Sequence, residues 1–182
     1  MRIAVSGTHA VGKSTLAQGL ADALPGYRVV EEPYYALLEE GHVFAAEPAV
    51  EDIEIQLERS ITGLATVSAE RILFERCPAD FLAYLAAFPD ADPAALATWL
   101  PSAHDALQRL DLVVYVPIER PDRIEVPETE GRHLRKRVDM TLREMLVDDA
   151  WGFGIPVLEV RGAPGARVRT VLRHLHGAPS PR

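Results

Sequence analysis

Asparagine is absent from the 182 residues, lysine occurs only as Lys13 and Lys136, and there is a single cysteine, Cys77. One cysteine cannot close an internal disulfide, and no Cys/His grouping has the spacing of a zinc site. No apolar stretch approaches the ~20 residues that cross a bilayer, and no basic segment leads into a short apolar one as in a secretory signal. Positive charge is also short: 19 Lys and Arg face 27 Asp and Glu, a formal net charge of −8. That balance disfavours non-specific binding to nucleic acid or to an acidic membrane surface. The expectation is a soluble cytoplasmic protein with no nucleic-acid or membrane partner.

What is present is ordinary for a globular chain. Hydrophobic residues make up 48% and charged residues 25%. A chain of this size buries roughly 70% of its unfolded surface, so its core needs no cross-links. Short apolar runs alternate with stretches of helical spacing. Arg2–Ser6 reads as a first strand; Leu16, Ala17, Leu20, Ala21 and Leu24 mark a helix that Pro25-Gly26 ends. Tyr27–Val30 is a second strand, and a mostly helical region spans Pro33 to Arg71 with a break near Glu47-Pro48. Arg71–Phe74 is a third strand; a helix begins at Pro78, and helical sequence reaches Leu110 with an interruption at Pro101. Leu112–Val116 is a fourth strand, Pro117–Pro127 a loop, Gly131–Asp149 a helix, Pro156–Val160 a fifth strand and Val168–Leu175 a last helix. The tail from Gly177 to Arg182 has the composition of a disordered end. Continuous apolar strands between helices imply a parallel sheet covered on both faces, in one α/β domain over residues 1–176.

Gly7-Thr8-His9-Ala10-Val11-Gly12-Lys13-Ser14 fits G-x-x-x-x-G-K-[ST] in full, with Thr15 next, between a predicted strand and a predicted helix. The glycines let backbone N–H groups turn toward phosphate oxygens without a Cβ in the way, and the helix start adds the positive end of its dipole. Lys13 would reach the β- and γ-phosphates and Ser14 would offer a hydroxyl to Mg²⁺. His9 contributes a backbone N–H in this reading rather than a catalytic imidazole. Lys13 is expected to be solvated when no nucleotide is bound.

Residues beyond the loop narrow the kind of nucleotide-binding protein. Without asparagine the chain cannot supply the Asn-Lys-x-Asp base motif of a GTPase, and no strand ends in the paired acids of a motor ATPase. The third strand ends instead in Phe74-Glu75-Arg76. An acid there can hold Mg²⁺ through water, and an arginine can clamp an anionic or hydroxylated acceptor, which suits phosphoryl transfer to a second substrate.

Four stretches resemble the small-molecule P-loop kinases: deoxynucleoside kinases, thymidylate kinases, and nicotinamide riboside kinase-like domains often labelled AAA-type ATPases. They are GTHAVGKST, Glu32-Pro33 after the second strand, ILFERCPADFLAYL from Ile72 to Leu85, and GRHLRKRVDMTLREML from Gly131 to Leu146. The resemblance implies a three-layer α/β/α P-loop fold with a five-stranded parallel sheet, ATP and Mg²⁺ as cofactors, and an arginine-bearing lid over about residues 117–149. It also implies an acid after the second strand facing the acceptor hydroxyl. Glu75 stands where riboside and thymidylate kinases usually have Asp.

Glu32 is thereby the candidate general base, preferred to Glu31 because it directly precedes the proline; a solvated acidic pair at a helix start is the alternative. Glu75 is a magnesium candidate or the partner of Arg76. Arg76 is an acceptor or phosphate clamp, since a buried strand end is a poor place for an idle cation. Asp80 reads as a helix-start residue. Gln56 could read a base edge, although a solvated helix face is the plainer account. Arg132, Arg135, Lys136 and Arg137 lie near Glu125, Glu128, Glu130, Asp139 and Glu144, the pattern of an exposed charged helix, yet a lid would sit here. Arg132 and Arg135, one turn apart, are the catalytic candidates. Val160-Arg161-Gly162 with Arg167 resembles the loop that cups adenine in related kinases.

The expected activity is transfer of the γ-phosphoryl group of ATP to a small-molecule hydroxyl, most plausibly a nucleoside or riboside. The alternatives are a nucleoside monophosphate kinase, or a regulatory ATPase acting through a protein partner. A homodimer is left open.

Overall fold

The computed structural model describes residues 1–89, 91–122, 124 and 131–177. Of the expected disordered tail (177–182), Gly177 instead ends the last helix, and residues 178–182, with the acids Glu125, Glu128 and Glu130, lie outside the described residues. Five strands form one sheet: β1 (Arg2–Ser6), β2 (Arg28–Val30), β3 (Ile72–Glu75), β4 (Leu112–Tyr115) and β5 (Val157–Glu159). Their order is β2-β3-β1-β4-β5, and every neighbouring pair is parallel. The helices are α1 (Lys13–Ala23), α2 (Pro33–Glu39), α3 (Val50–Thr66), α4 (Pro78–Ala87), α5 (Pro93–Leu107), α6 (Arg132–Leu146) and α7 (Pro164–Gly177).

Side chains alternate across each strand, so a strand buried on both sides must be apolar at every position. The central strands obey this. Ile3, Val5, Leu73, Leu112 and Val114 meet α1 and α7 on one face, while Ala4, Ile72, Phe74, Val113 and Tyr115 meet α3 to α6 on the other. Ile3 sits between Leu73 and Leu112, and Ala4 between Phe74 and Val113, which keeps the two faces in register. After β1 the chain enters α1 on one face; after the adjacent β3 it enters α4 on the opposite face. A crevice therefore opens at the carboxyl ends of β1 and β3, where open α/β sheets bind ligands.

Two polar devices close the layers. The Arg2 guanidinium donates to the carbonyls of Leu64 and Val67 at the end of α3 and lies 5.2 Å from the centre of the Phe74 ring. Burial lowers the pKa of Arg2, with Arg109 adding to that and Asp111 opposing it. The Tyr115 hydroxyl donates to Asp139 Oδ1 at 2.9 Å, and the Ile118 N–H donates to the same oxygen at 3.2 Å, tying α6 to the end of β4. Burial raises the carboxyl pKa of Asp139 despite those bonds.

The structure departs from the sequence expectation in three places. The break before α5 follows Ala87, the last residue of α4, and Asp92 caps α5 by accepting the Ala94 N–H at 2.9 Å. Pro101 instead lies inside α5. An interior proline costs about 3 kcal/mol; here Ala103, Ala106 and Leu107, all buried in the turn and a half that follows, hold the helix together. The last helix begins four residues earlier than expected, at Pro164. The expected lid over 117–149 also shrinks. Val138, Leu142 and Met145 are fully buried at helical spacing, so most of α6 is core.

Leu142→Ala should therefore lower unfolding free energy by about 2–5 kcal/mol in chemical denaturation. A loss below about 1 kcal/mol would mean that α6 hangs free of the core.

Candidate active site

The loop between β1 and α1 turns through two positions that only glycine fills comfortably. At Gly7 (φ +153) an added Cβ would lie 2.5 Å from the Val116 carbonyl oxygen; at Gly12 (φ +87) it would lie 3.3 Å from an Arg167 nitrogen. Asp80, wholly buried in the first turn of α4, holds the loop's entry. Its Oδ1 accepts the Gly7 N–H at 2.9 Å, while Oδ2 accepts the Cys77 N–H at 3.0 Å. With the Cys77 side chain this makes a capping box, so Asp80 is the expected helix-start residue and a loop anchor as well. Burial, with Asp80 beside it, pushes the Cys77 thiol well up. It is no thiolate nucleophile.

Basic side chains meet the carbonyls of the loop. Arg76 Nη1 donates to the Gly7 carbonyl at 3.2 Å and Lys13 Nζ to the Thr8 carbonyl at 2.9 Å. Arg135 donates to the His9 carbonyl at 3.0 Å and to the Ala10 carbonyl at 3.1 Å; Arg167 donates to the Val11 carbonyl at 2.6 Å. The three arginines have acid partners: Glu32 and Asp80 for Arg76, Asp122 for Arg135, and Glu119 for Arg167. On the inward side, the His9 N–H donates to the Tyr84 hydroxyl at 3.2 Å, and His9 Nδ1 lies 2.9 Å from the same oxygen. Among the described residues no protein acceptor is bonded to the amides of Ala10, Val11 or Gly12.

Lys13 is only 5% exposed, against the expectation of a solvated side chain. Burial, reinforced by nearby Arg76, lowers its pKa to about 7, although Glu32, Asp80 and Glu75 oppose the fall. Burial alone would raise the carboxyl pKa of Glu32, but Arg76 (Nε to Oε2, 2.6 Å) and Lys13 outweigh it and hold the group below its ordinary value. Burial likewise works against charge on Arg76; Tyr84, Glu32 and Asp80 prevail and keep its pKa well above the usual arginine range. Arg76 adopts this position with φ +69, and its guanidinium lies 5.6 Å from the centre of the Tyr84 ring.

Beside Glu32 and Arg76 opens a cleft of about 900 Å³, shared by the loop, α3, α4 and the start of α6. Tyr34, Phe44, Phe81, Tyr84 and Phe88 give it aromatic walls, and Gln56, Asp52, His133 and Arg137 supply polar ones. The segment 41–49 is pinned over it by Asp52, which bonds His42 at 2.9 Å and accepts the Ala45 N–H at 2.8 Å. The hydrogen bond from His42 is the first cause of the lowered Asp52 pKa. Glu31 is exposed and lines a separate cavity of about 430 Å³ with residues of α2 and α3, and of the two acids it is Glu32 that lines the cleft. At the loop's exit the Ser14 hydroxyl donates to Glu75 Oε1 at 2.5 Å.

A family model described as an AAA domain matches residues 2–167. The chain belongs to the AAA domain family. The fold is that of the P-loop small-molecule kinases. Deoxyadenosine kinase from M. mycoides, solved with bound dATP, superposes with a TM-score of 0.69 at 18% identity, over 97% of this chain and 100% of that one. Thymidylate kinase from Candida albicans gives 0.65 at 15% identity, over 96% and 90%. NadR protein in complex with NR gives 0.65 at 18% identity, over 99% of this chain and 52% of that one. Among curated proteins none matches significantly. Among the described residues no helix of this AAA domain is long and apolar enough to cross a membrane, and no three His, Cys, Asp or Glu side chains group as a metal site.

Glu32, Arg76, Lys13, Ser14 and Glu75 thus converge from separate segments as the sequence suggested. Arg135 and Arg167 do not face the inward amides; both stand on the carbonyl side of the loop. Arg132 is exposed at the first turn of α6. Gln56 is 8% exposed, donates to the Asp52 carbonyl at 3.0 Å and lines the cleft, so it is no solvated face residue. Tyr84, Glu119 and Asp122 had no assigned role. Tyr84 alone had a signal: it sits one turn after Asp80 in the ILFERCPADFLAYL stretch, so both reach the same loop.

The Lys13 pKa has a measurable consequence. An unfolded lysine keeps its proton to about pH 10.5, whereas the folded one loses it near 7, so between these values the unfolded state binds more protons and stability rises with pH. Lys13→Met should raise the melting temperature of the nucleotide-free protein most at or below pH 7, with the gain shrinking toward pH 10. A pH-independent difference in scanning calorimetry would mean that Lys13 is charged in the folded chain throughout.

Proposed function

We propose that this AAA domain is an ATP- and Mg²⁺-dependent phosphotransferase that moves the γ-phosphoryl group to a hydroxyl of a small acceptor, most plausibly a nucleoside or riboside. One observation carries the reading: Glu32, paired with Arg76, faces a cleft that opens directly beside the phosphate loop and is walled by aromatic rings. The volume suits a ligand of nucleoside size, and flat rings with a side-chain amide from Gln56 suit a planar heterocycle. The solved neighbours, kinases of nucleosides, nucleotides and related small molecules by their names, support the same class.

The inward amides of Ala10, Val11 and Gly12, the α1 dipole and Lys13 would hold the triphosphate. A bound anion would favour the charged form of Lys13. Ser14 and Glu75 bring two hard oxygens together, a donor set that fits Mg²⁺ completed by water and phosphate oxygens. When bound, the ion neutralises charge on the transferred group. Glu32 is ionised at neutral pH and accepts the proton of the acceptor hydroxyl. Its low pKa makes it a weak base, which fits a loose transition state in which the nucleophile needs orientation more than early deprotonation. Arg76 fixes that carboxylate. Arg132, at the open end of α6, is the candidate to close over the phosphates.

Glu32→Gln should reduce turnover with a nucleoside acceptor by about 10²–10⁴ and leave the Kd for ATP unchanged. Weakened ATP binding with intact turnover would remove Glu32 from the acceptor's side of the site.

A further inference from the structure

We propose that Arg135 and Arg167 are positioning residues for the bound polyphosphate, acting through the carbonyls of the loop and not by touching phosphate. The inference rests on the nucleotide-binding part of the proposed function. A trans peptide unit is planar, with its C=O and the following N–H pointing opposite ways. Holding the His9 and Ala10 carbonyls outward, as Arg135 does at 3.0 and 3.1 Å, turns the Ala10 and Val11 amides inward. Holding the Val11 carbonyl outward, as Arg167 does at 2.6 Å, turns the Gly12 amide inward. All three are among the loop and first-turn amides that no protein acceptor engages among the described residues. A charged donor on each carbonyl also polarises the peptide unit and strengthens the opposite N–H as a donor to an anion.

Neither arginine is placed to move. Arg135 is 4% exposed and Arg167 5%, and each is neutralised by an acid from one short segment after β4. Asp122 takes Arg135 with both carboxylate oxygens, and Glu119 accepts Arg167 Nη2 at 2.9 Å. Glu119 Oε1 also accepts the Gly162 N–H at 2.6 Å, so the loop before α7 joins the same bracket. Swinging either guanidinium to a phosphate would take a charged donor from one or two loop carbonyls and bring a buried cation out of its ion pair, a cost that a solvated lid arginine does not carry. The recognised chemistry is therefore the polyphosphate chain alone, with no contribution to the base.

The test compares two ligands by titration calorimetry in the presence of Mg²⁺: ATP and inorganic tripolyphosphate. Arg135→Met and Arg167→Met should each weaken both ligands by the same factor, about tenfold or more, the loss expected for one charge-assisted hydrogen bond. Arg167→Lys, which keeps a donor for the Val11 carbonyl, should recover part of the affinity for both. If the methionine variants lack a cooperative thermal transition, Glu119→Gln and Asp122→Asn carry the test, since they keep shape and loosen the arginines; they too should weaken both ligands equally. Loss of ATP binding with tripolyphosphate unaffected would overturn the proposal by placing the side chain on the base or ribose. Unchanged affinities with reduced kcat would overturn it by placing the side chain on the transferred group. Equal weakening in a protein that transfers no phosphoryl group would uphold the positioning role while refuting the kinase reading.

Discussion

Five consecutive carbonyls, from Gly7 to Val11, each accept a hydrogen bond from a cationic side chain. A glycine-bearing turn has little intrinsic reason to keep one conformation, so this fastening of its carbonyls decides which way its amides face. The cations come from β3's exit, α1, α6 and α7, and their acids from the ends of β2 and β4 and from α4. The loop is consequently the knot through which both layers of the fold are tied to the central strand. Burying so much charge is tolerable because each arginine has both a carboxylate and a carbonyl to satisfy it.

That arrangement also explains the uneven electrostatics of the cleft. Arg76 serves Glu32, Asp80 and the Gly7 carbonyl together, so it cannot be an idle cation, and its field helps both to depress the Lys13 pKa and to keep Glu32 ionised. The base candidate and the phosphate lysine are thus adjusted by the same guanidinium. Glu31, one residue away, lines a different cavity, because successive residues of an extended segment alternate in direction.

Much of this was legible in the sequence because the signals were local. The strands announced themselves by unbroken apolar runs, the phosphate loop by its glycines, and Glu32, Glu75 and Arg76 by their places at strand ends. What was illegible depended on distance. No pattern around Arg135 says that its guanidinium crosses to a loop 125 residues earlier in the chain, or that Asp122 waits there. Lys13 read as solvated because a motif fixes the residue but not the Thr8 carbonyl, Arg76 and acids that enclose it. Pro101 read as a break because propensity ignores the buried face of Ala103, Ala106 and Leu107 that holds α5 together. The helix from Arg132 read as lid because its charges are conspicuous, whereas its core stripe of Val138, Leu142 and Met145 is the stronger physical fact.

The fate of the γ-phosphorus decides between phosphoryl transfer and plain hydrolysis. Phosphorus NMR of the wild-type protein with ATP and Mg²⁺, with and without a panel of nucleosides and ribosides, distinguishes ester from inorganic phosphate. Transfer to a hydroxyl predicts an acceptor-dependent phosphate monoester resonance growing in step with ADP. Inorganic phosphate alone, released at a rate that no acceptor changes, would contradict the kinase reading.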